Sequence, residues 1–172
     1  MPDKLNWFTP YARNTLINAQ GAASTFRSET IGPEHLLFTL VGEGDSMACY
    51  VFAKLGITLE EFYGAILDTM GAQSAERPRA QPKEINEQAK QVIQLSIEEA
   101  RRMGHHRLST AHILLGILRL GEGRAYEILQ RLGVQLEDAR RMTRQGIAET
   151  GSPEANDMEL SEADKPEDSG GA

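Results

Sequence analysis

The chain has 172 residues, of which 40% are hydrophobic and 6% aromatic, so it can bury a core built mainly from aliphatic side chains. Its net charge of −7 comes mostly from residues 152–172, where seven acids stand against one lysine. Because the remaining body is about neutral and its basic residues form no stripe, the composition argues against nucleic-acid binding. No run of about 20 apolar residues predicts a membrane span.

The first half of the chain predicts four helices, each with a capping residue or a proline at its start. They begin at Thr9-Pro10, Gly32-Pro33, Ser46 and Thr58, and the last three end near Gly42 to Gly44, at Gly56 and at Gly71. Glycine suits these ends because it adopts the left-handed conformation that closes a helix. No strand pattern of comparable strength is present.

A linker and a second set of four helices follow. Residues 72–84 contain Pro78 and Pro82 and are predicted to be an exposed linker. The next helices are predicted over residues 86–103, 110–120, 124–132 and 136 to about 149, with a glycine after each of the first three. Residues 151–172 are rich in Pro, Gly, Ser and acids, so we expect a disordered acidic tail.

The two halves are copies of one unit. Aligning His35 with His112 sets an offset of 77 residues, at which residues 8–60 lie over residues 85–137 without a gap. Since one unit of about 65 residues buries too little surface to be secure alone, we expect the two to share a core. The sequence therefore predicts an all-α domain over residues 1–150: an eight-helix orthogonal bundle of two pseudo-twofold-related repeats, at about 8–71 and 85–149.

The single cysteine and the histidines give no metal or cofactor signal. Cys49 lies in an apolar run and is predicted to be a small core residue rather than a nucleophile. His35 and His112 are predicted to be structural imidazoles, hydrogen-bonded at helix starts, because no carboxylate or cysteine spacing completes a ligand set. We expect His105 and His106 to lie in an exposed loop after Gly104.

Two segments carry a family resemblance. Residues 31–37 read Ile-Gly-Pro-Glu-His-Leu-Leu and residues 108–118 read Leu-Ser-Thr-Ala-His-Ile-Leu-Leu-Gly-Ile-Leu, each followed by a glycine turn and a Leu-Gly pair. Over about residues 5–149 the chain resembles the Clp N-terminal (repeat) domain, most of all its ClpC type. The resemblance implies a docking module that does no chemistry. No Gly-x-x-x-x-Gly-Lys-Ser/Thr loop occurs, so we expect a stand-alone protein without AAA+ ATPase modules.

The resemblance also implies two sites for phosphoarginine, at the helix starts before the motif histidines. In the family a carboxylate pairs with the guanidinium, while a hydroxyl and backbone N–H groups hold the phosphate. The first repeat keeps Glu34 but has Pro33, which offers neither hydroxyl nor N–H, and the second keeps Thr110 but has Ala111 in place of the acid. We therefore predict weak or no phosphoarginine binding. Glu34 is alternatively a first-turn acid that stabilises its helix.

Trp7 and Phe8 precede the first predicted helix. We expect these two aromatic residues either to pack on the body of the domain or to form part of a hydrophobic groove for partners. With Glu34 and Thr110 they are the candidate partner-binding residues.

The favoured hypothesis is a module that binds substrates, adaptors or Clp subunits and regulates proteolysis. The alternative is a decoy that sequesters Clp N-domain ligands such as peptides or antibiotics. An enzyme is least favoured. We expect a cytoplasmic protein, with the organellar stroma as the alternative.

Overall fold

Eight α-helices make up most of the described chain, which comprises residues 7–71, 84–149 and 154–155 of this computed structural model. In the first repeat they are α1 (Pro10–Thr25), α2 (Pro33–Thr39), α3 (Met47–Lys54) and α4 (Leu59–Met70). In the second they are α5 (Glu87–Arg102), α6 (Thr110–Leu120), α7 (Arg124–Arg131) and α8 (Leu136–Glu149). The predicted all-α fold is confirmed. Of the described helices, none is long and apolar enough to cross a membrane.

Local capping explains why the helices start where the sequence predicts. The side chains of Thr9, Ser46, Thr58, Asn86 and Ser109 each accept a hydrogen bond from the backbone N–H three residues later. At the other end of α6, Gly121 adopts a φ of 69°, which a residue with a Cβ rarely tolerates. The one shift of note is α2, which ends at Thr39, before the predicted glycine turn.

The two repeats are joined by a pair of equivalent backbone contacts. Thr9 N donates to Leu108 O at 2.9 Å and Leu108 N to Trp7 O at 2.7 Å. At the offset of 77 residues the same two bonds recur: Asn86 N donates to Ile31 O and Ile31 N to Glu84 O, both at 2.9 Å. The segment before the first helix of each repeat thus pairs with the segment before the second helix of the other, as a pseudo-twofold axis requires.

Helix packing follows the same exchange. Within the repeats α1 packs on α2 and α5 on α6, whereas α4 packs on α7 and α8 packs on α3. The second helix of each repeat also contacts the third helix of the other repeat: α6 contacts α3, and α2 contacts α7. Helix α6 is the most enclosed, with every residue from Thr110 to Leu118 buried. The core therefore lies between the repeats as well as within them.

The structure differs from the sequence interpretation at the end of the chain. The linker residues 72–83 and the tail residues 151–153 and 156–172 lie outside the described residues. Glu154 and Ala155, which the sequence places in the acidic tail, are buried at 0% and 2% exposure. The expectation of a disordered tail does not hold for these two residues, because the carboxylate of Glu154 accepts hydrogen bonds from the folded body.

Candidate binding site

The starts of α3 and α6 converge on one buried carboxylate, that of Glu154. Its Oε1 accepts hydrogen bonds from Met47 N at 2.7 Å and from Thr110 Oγ1 at 2.5 Å. Its Oε2 accepts from Thr9 Oγ1 at 2.6 Å and from Thr110 N at 3.1 Å. We call the donors of Thr9, Met47 and Thr110 the carboxylate cradle. The N-terminal ends of helices carry positive partial charge, so the arrangement suits an anion.

The two hydroxyls of the cradle are oriented by backbone amides. Thr9 Oγ1 accepts from Ala12 N at 3.1 Å, and Thr110 Oγ1 accepts from Ala48 N at 2.9 Å. An N–H group can only donate, so each hydroxyl must direct its own hydrogen at the carboxylate. The cradle therefore presents preset donors rather than hydroxyls that rotate freely.

Burial and hydrogen bonding act against each other on Glu154. Burial raises the pKa of its carboxyl, because a charge is disfavoured away from water, and the hydrogen bonds from Thr110, Thr9 and Met47 lower it in part. Burial is the larger effect, so the pKa stands above its ordinary value. Ionising Glu154 in the folded protein therefore costs free energy, and the hydrogen bonds of the cradle offset only part of that cost.

The equivalent place in the first repeat is built differently. The offset of 77 residues puts Asn86, Pro33 and Arg124 at the positions of the cradle. Pro33 has neither hydroxyl nor N–H. The Glu34 carboxylate lies beside Gly32: its oxygens are 2.5 and 2.8 Å, and Asn86 Nδ2 is 2.9 Å, from the point where a Cβ on Gly32 would stand. The first repeat thus places an acid of its own helix at the helix start.

The two motif histidines occupy equivalent structural positions. His35 Nδ1 accepts a hydrogen bond from Gly32 N and His112 Nδ1 accepts one from Ser109 N, both at 2.9 Å. The expected role of an imidazole hydrogen-bonded at a helix start is confirmed for both. Burial lowers the pKa of each, so each ring is held neutral against the core.

His105 departs from the expected exposed loop. Its Nδ1 lies 2.7 Å from Nε2 of His112. Since His112 Nδ1 already accepts from an N–H, the ring hydrogen of His112 must be on Nε2, and it donates to His105 Nδ1. His105 is partly buried, whereas His106 is exposed as expected. Among the described residues, no group of three or more His, Cys, Asp and Glu side chains is arranged to hold a metal ion.

The side chains of Trp7 and Phe8 lie in different environments. Phe8 is buried at 6% exposure and belongs to the core, so its ring cannot lie in a surface groove. Trp7 is 51% exposed, and its backbone is held by the contact with Leu108. Of these two residues, Trp7 is therefore the one whose side chain is open to a partner.

A small polar groove lies beside the cradle. It has a volume of about 70 Å³ and is bordered by α1 and by the end of α2. Its lining includes Tyr11, Asn14, Asn18, Glu43 and Thr110. Because Thr110 belongs to both, the groove and the cradle are adjacent.

A larger, apolar groove lies elsewhere on the first repeat. It has a volume of about 470 Å³, and its lining includes Cys49, Phe52, Ile57 and Leu59. Burial raises the pKa of the Cys49 thiol, and its Sγ lies 3.3 Å from Glu43 O. A thiol held in its neutral form is a poor nucleophile, in agreement with the packing role expected for Cys49.

Sequence reasoning singled out Thr110 and Glu34 but missed Glu154, the residue that completes the cradle. Only one sequence signal bears on it: neither α3 nor α6 has an acid in its first turn. That signal shows that a favourable charge is missing, but it does not indicate which distant acid supplies it.

Comparison with known sequences gives a consistent family match. The sequence profile of the Clp repeat (R) N-terminal domain matches residues 7–119 and 84–164. The chain is 39% identical over 150 residues to the Bacillus subtilis negative regulator of genetic competence ClpC/MecB, covering 86% of this chain and 18% of that protein. It is 36% identical over 140 residues to the chaperone protein ClpB of Oceanobacillus iheyensis, covering 80% and 17%. The chain thus spans less than a fifth of these relatives.

Solved structures share the fold. The N-terminal domain of the chaperone ClpD from Arabidopsis thaliana has a TM-score of 0.65 at 20% identity, over 86% of this chain and 98% of that one. A ClpV N-domain in complex with a VipB peptide has a TM-score of 0.66 at 14% identity, over 86% and 91%. Identities this low establish the fold alone.

Proposed function

The chain belongs to the Clp repeat N-terminal domain family, and we propose that it is a non-catalytic module that binds segments of partner proteins for Clp-type unfoldases and proteases. The partners would be substrates, adaptors or Clp subunits, and binding would regulate proteolysis. A similar fold in complex with a VipB peptide supports peptide binding as the mode of interaction.

One observation carries the proposal. The fold already holds an acidic side chain that a distant segment presents to it, since Glu154 is 107 residues from Met47 and 44 residues from Thr110 in the chain. Buried donors that are preset for a side chain from elsewhere are what a peptide-binding site requires, because they add specificity without reorganisation.

The proposed contact residues are Glu34, Thr110 and Trp7. Glu34 lies at the start of α2 with a side chain that is 15% exposed, and Trp7 is exposed beside the junction of the repeats. Thr110 supplies a hydroxyl and an N–H. Phe8 is buried in the core and so fixes the backbone next to the exposed Trp7. Phosphoarginine binding by the intact chain remains predicted to be weak or absent.

The proposed role needs no catalytic group. The cysteine thiol is held neutral and the motif histidines act as structural acceptors. The donors of the carboxylate cradle surround a charge, and this supports binding rather than catalysis as the proposed role.

Affinity capture from the native lysate tests the function. The full chain is immobilised beside the variants Trp7→Ala and Ile17→Ala; Ile17 is a similarly exposed apolar residue on α1 and serves as the control. We expect a Clp ATPase, protease subunit or adaptor to be enriched by the wild type and the control, and severalfold less by Trp7→Ala. Enrichment of no Clp component would contradict the proposal.

Calorimetry with free phosphoarginine separates the module from a decoy. Micromolar binding that is lost in Glu34→Ala, together with no captured Clp component, would support sequestration of ligands instead of regulation. Such binding would also contradict the predicted weakness of the two half-sites.

A further inference from the structure

The carboxylate cradle is complete only when an anion occupies it. The polar groups that form it belong to buried residues: Thr9 is 0%, Met47 0% and Thr110 1% exposed. If the carboxylate were removed, two N–H groups and two hydroxyl hydrogens would lose their acceptor away from water. Leaving buried hydrogen-bond donors without an acceptor is unfavourable, so an empty cradle favours any oxyanion that fits.

The helices that form the cradle bring no anion of their own. No acid lies in the first turn of α3 or of α6, whereas α2 has Glu34 and α7 has Glu127 there. At the position equivalent to Glu34 the second repeat has Ala111, which is buried and apolar. The occupant therefore has to come from outside these helices, and Glu154 supplies it.

We propose that Glu154 is a built-in competitor, whose carboxylate occupies the cradle in cis and must leave before an oxyanion of a partner can enter. The shared chemistry is that of a carboxylate or phosphate group, because either presents oxygens to the four donors. The biological use of such a switch rests on the proposed partner-binding function, but the competition itself does not.

The geometry supports displacement. Thr110 also lines the polar groove, so the groove lies next to the cradle on the side from which an oxyanion would approach. The cost of burying the Glu154 charge, expressed in its raised pKa, lowers the free energy that a competitor must supply. A tethered group also competes at a high effective concentration, so free anions should bind the intact chain weakly.

Titration with inorganic phosphate tests the competition. The full chain, Glu154→Ala and Glu127→Ala are compared by amide NMR and by melting temperature, with chloride at matched ionic strength; Glu127 is an exposed acid on α7 and controls for charge. In Glu154→Ala we expect phosphate to shift the amides of Met47 and Thr110 saturably and to raise the melting temperature. The affinity should be at least tenfold weaker in the wild type and in Glu127→Ala.

Further measurements identify the site and the source of the oxyanion. Adding Thr110→Val to Glu154→Ala removes one donor and should weaken phosphate at least tenfold. Acetate in place of phosphate shows whether carboxylates enter equally well. If Glu154→Ala does not fold in chloride, phosphate should restore its helical circular dichroism.

The proposal is overturned if phosphate affects wild type and Glu154→Ala equally. It is also overturned if phosphate neither shifts the two amides nor restores the fold of the variant. These outcomes are independent of partner capture, so loss of the cis competitor and loss of the proposed function can be told apart.

Discussion

At Glu99, on α5, a carboxylate with 1% exposure holds two arginines from other helices. Arg140 on α8 donates to it from Nε at 3.2 Å and from Nη2 at 2.5 Å, and Arg119 on α6 lies 3.6 Å away. The hydrogen bond to Glu99 is the main cause of the raised pKa of Arg140. The equivalent of Glu99 in the first repeat is Ala22, so this ion pair belongs to the second repeat alone.

Glu99→Gln should destabilise the fold. The substitution keeps the volume but leaves the arginines without a buried counter-charge, and breaking such a pair costs about 3–5 kcal/mol. Urea unfolding measures the loss. Glu137→Gln is the control, since Glu137 pairs with the same Arg140 but has a side chain that is 79% exposed. It should cost less than about 1 kcal/mol. Equal losses would show that burial is not the cause.

The His105–His112 pair predicts a pH dependence of stability. Burial, with smaller contributions from the charges of Arg144 and His106, lowers the pKa of His105 from 6.5 to about 4, and burial lowers that of His112 well below 6.5. Below pH 6.5 the unfolded chain therefore binds more protons than the folded chain. Stability contributed by the neutral pair is present above pH 6.5 and is lost as the pH falls toward 4.

Denaturant unfolding between pH 7 and pH 4 checks this. His105→Asn should flatten the loss, while His106→Asn, at an exposed neighbour, should leave it unchanged. The comparison of variants isolates the histidine contribution from carboxyl groups that titrate in the same range. An unaltered slope in His105→Asn would contradict the role of the pair.

Between elements, the crossing of α5 and α6 depends on Gly116. A Cβ at this position would stand 2.5 Å from Val92 O and would also clash with Ser96. The first repeat uses a different solution at the equivalent place, where Thr39 Oγ1 donates to Thr15 O at 3.0 Å. The second repeat therefore needs glycine for a backbone approach that the first makes with a hydrogen bond.

Gly116→Ala should lower the free energy of unfolding by about 1–3 kcal/mol, because the overpacking outweighs the gain in helix propensity of about 1 kcal/mol. Gly21→Ala on α1 is the matched control. A Cβ there meets nothing within 4 Å, so this variant should be stabilised by up to about 1 kcal/mol. Thermal melts of both variants measure the difference, and a stabilised Gly116→Ala would refute the close crossing.

The helix starts could be predicted from the sequence, whereas the contact made by Glu154 could not. Caps and glycine ends are local signals, so the helix starts at Thr9, Ser46 and Thr58 were predictable. Nothing local indicates that Glu154 folds back onto Met47, because the contact joins residues 107 positions apart in the chain. The repeat alignment reveals what the second half lacks, at Ala111, but the compensating residue lies outside the repeat.

Across the whole molecule, the fourth helix of each repeat packs against the other repeat. Phe62 and Ile66 of α4 are buried, and α4 packs on α7 of the second repeat; α8 packs on α3 of the first. The backbone bonds of Thr9 with Leu108 and of Asn86 with Ile31 also cross between the repeats. A separated repeat would expose these apolar surfaces and lose these bonds.

Fragments cut in the linker after residue 78 should therefore be largely unfolded alone and should regain structure when mixed. A half-chain of roughly 80 residues that has lost the apolar contacts of its fourth helix cannot offset the entropy of ordering its helices. Circular dichroism should show less than about half of the full-chain helical signal for each fragment and recovery at an equimolar ratio. The full chain nicked at the same bond is the control and should stay folded. Cooperative unfolding of either fragment as a monomer would show that one repeat is a sufficient folding unit.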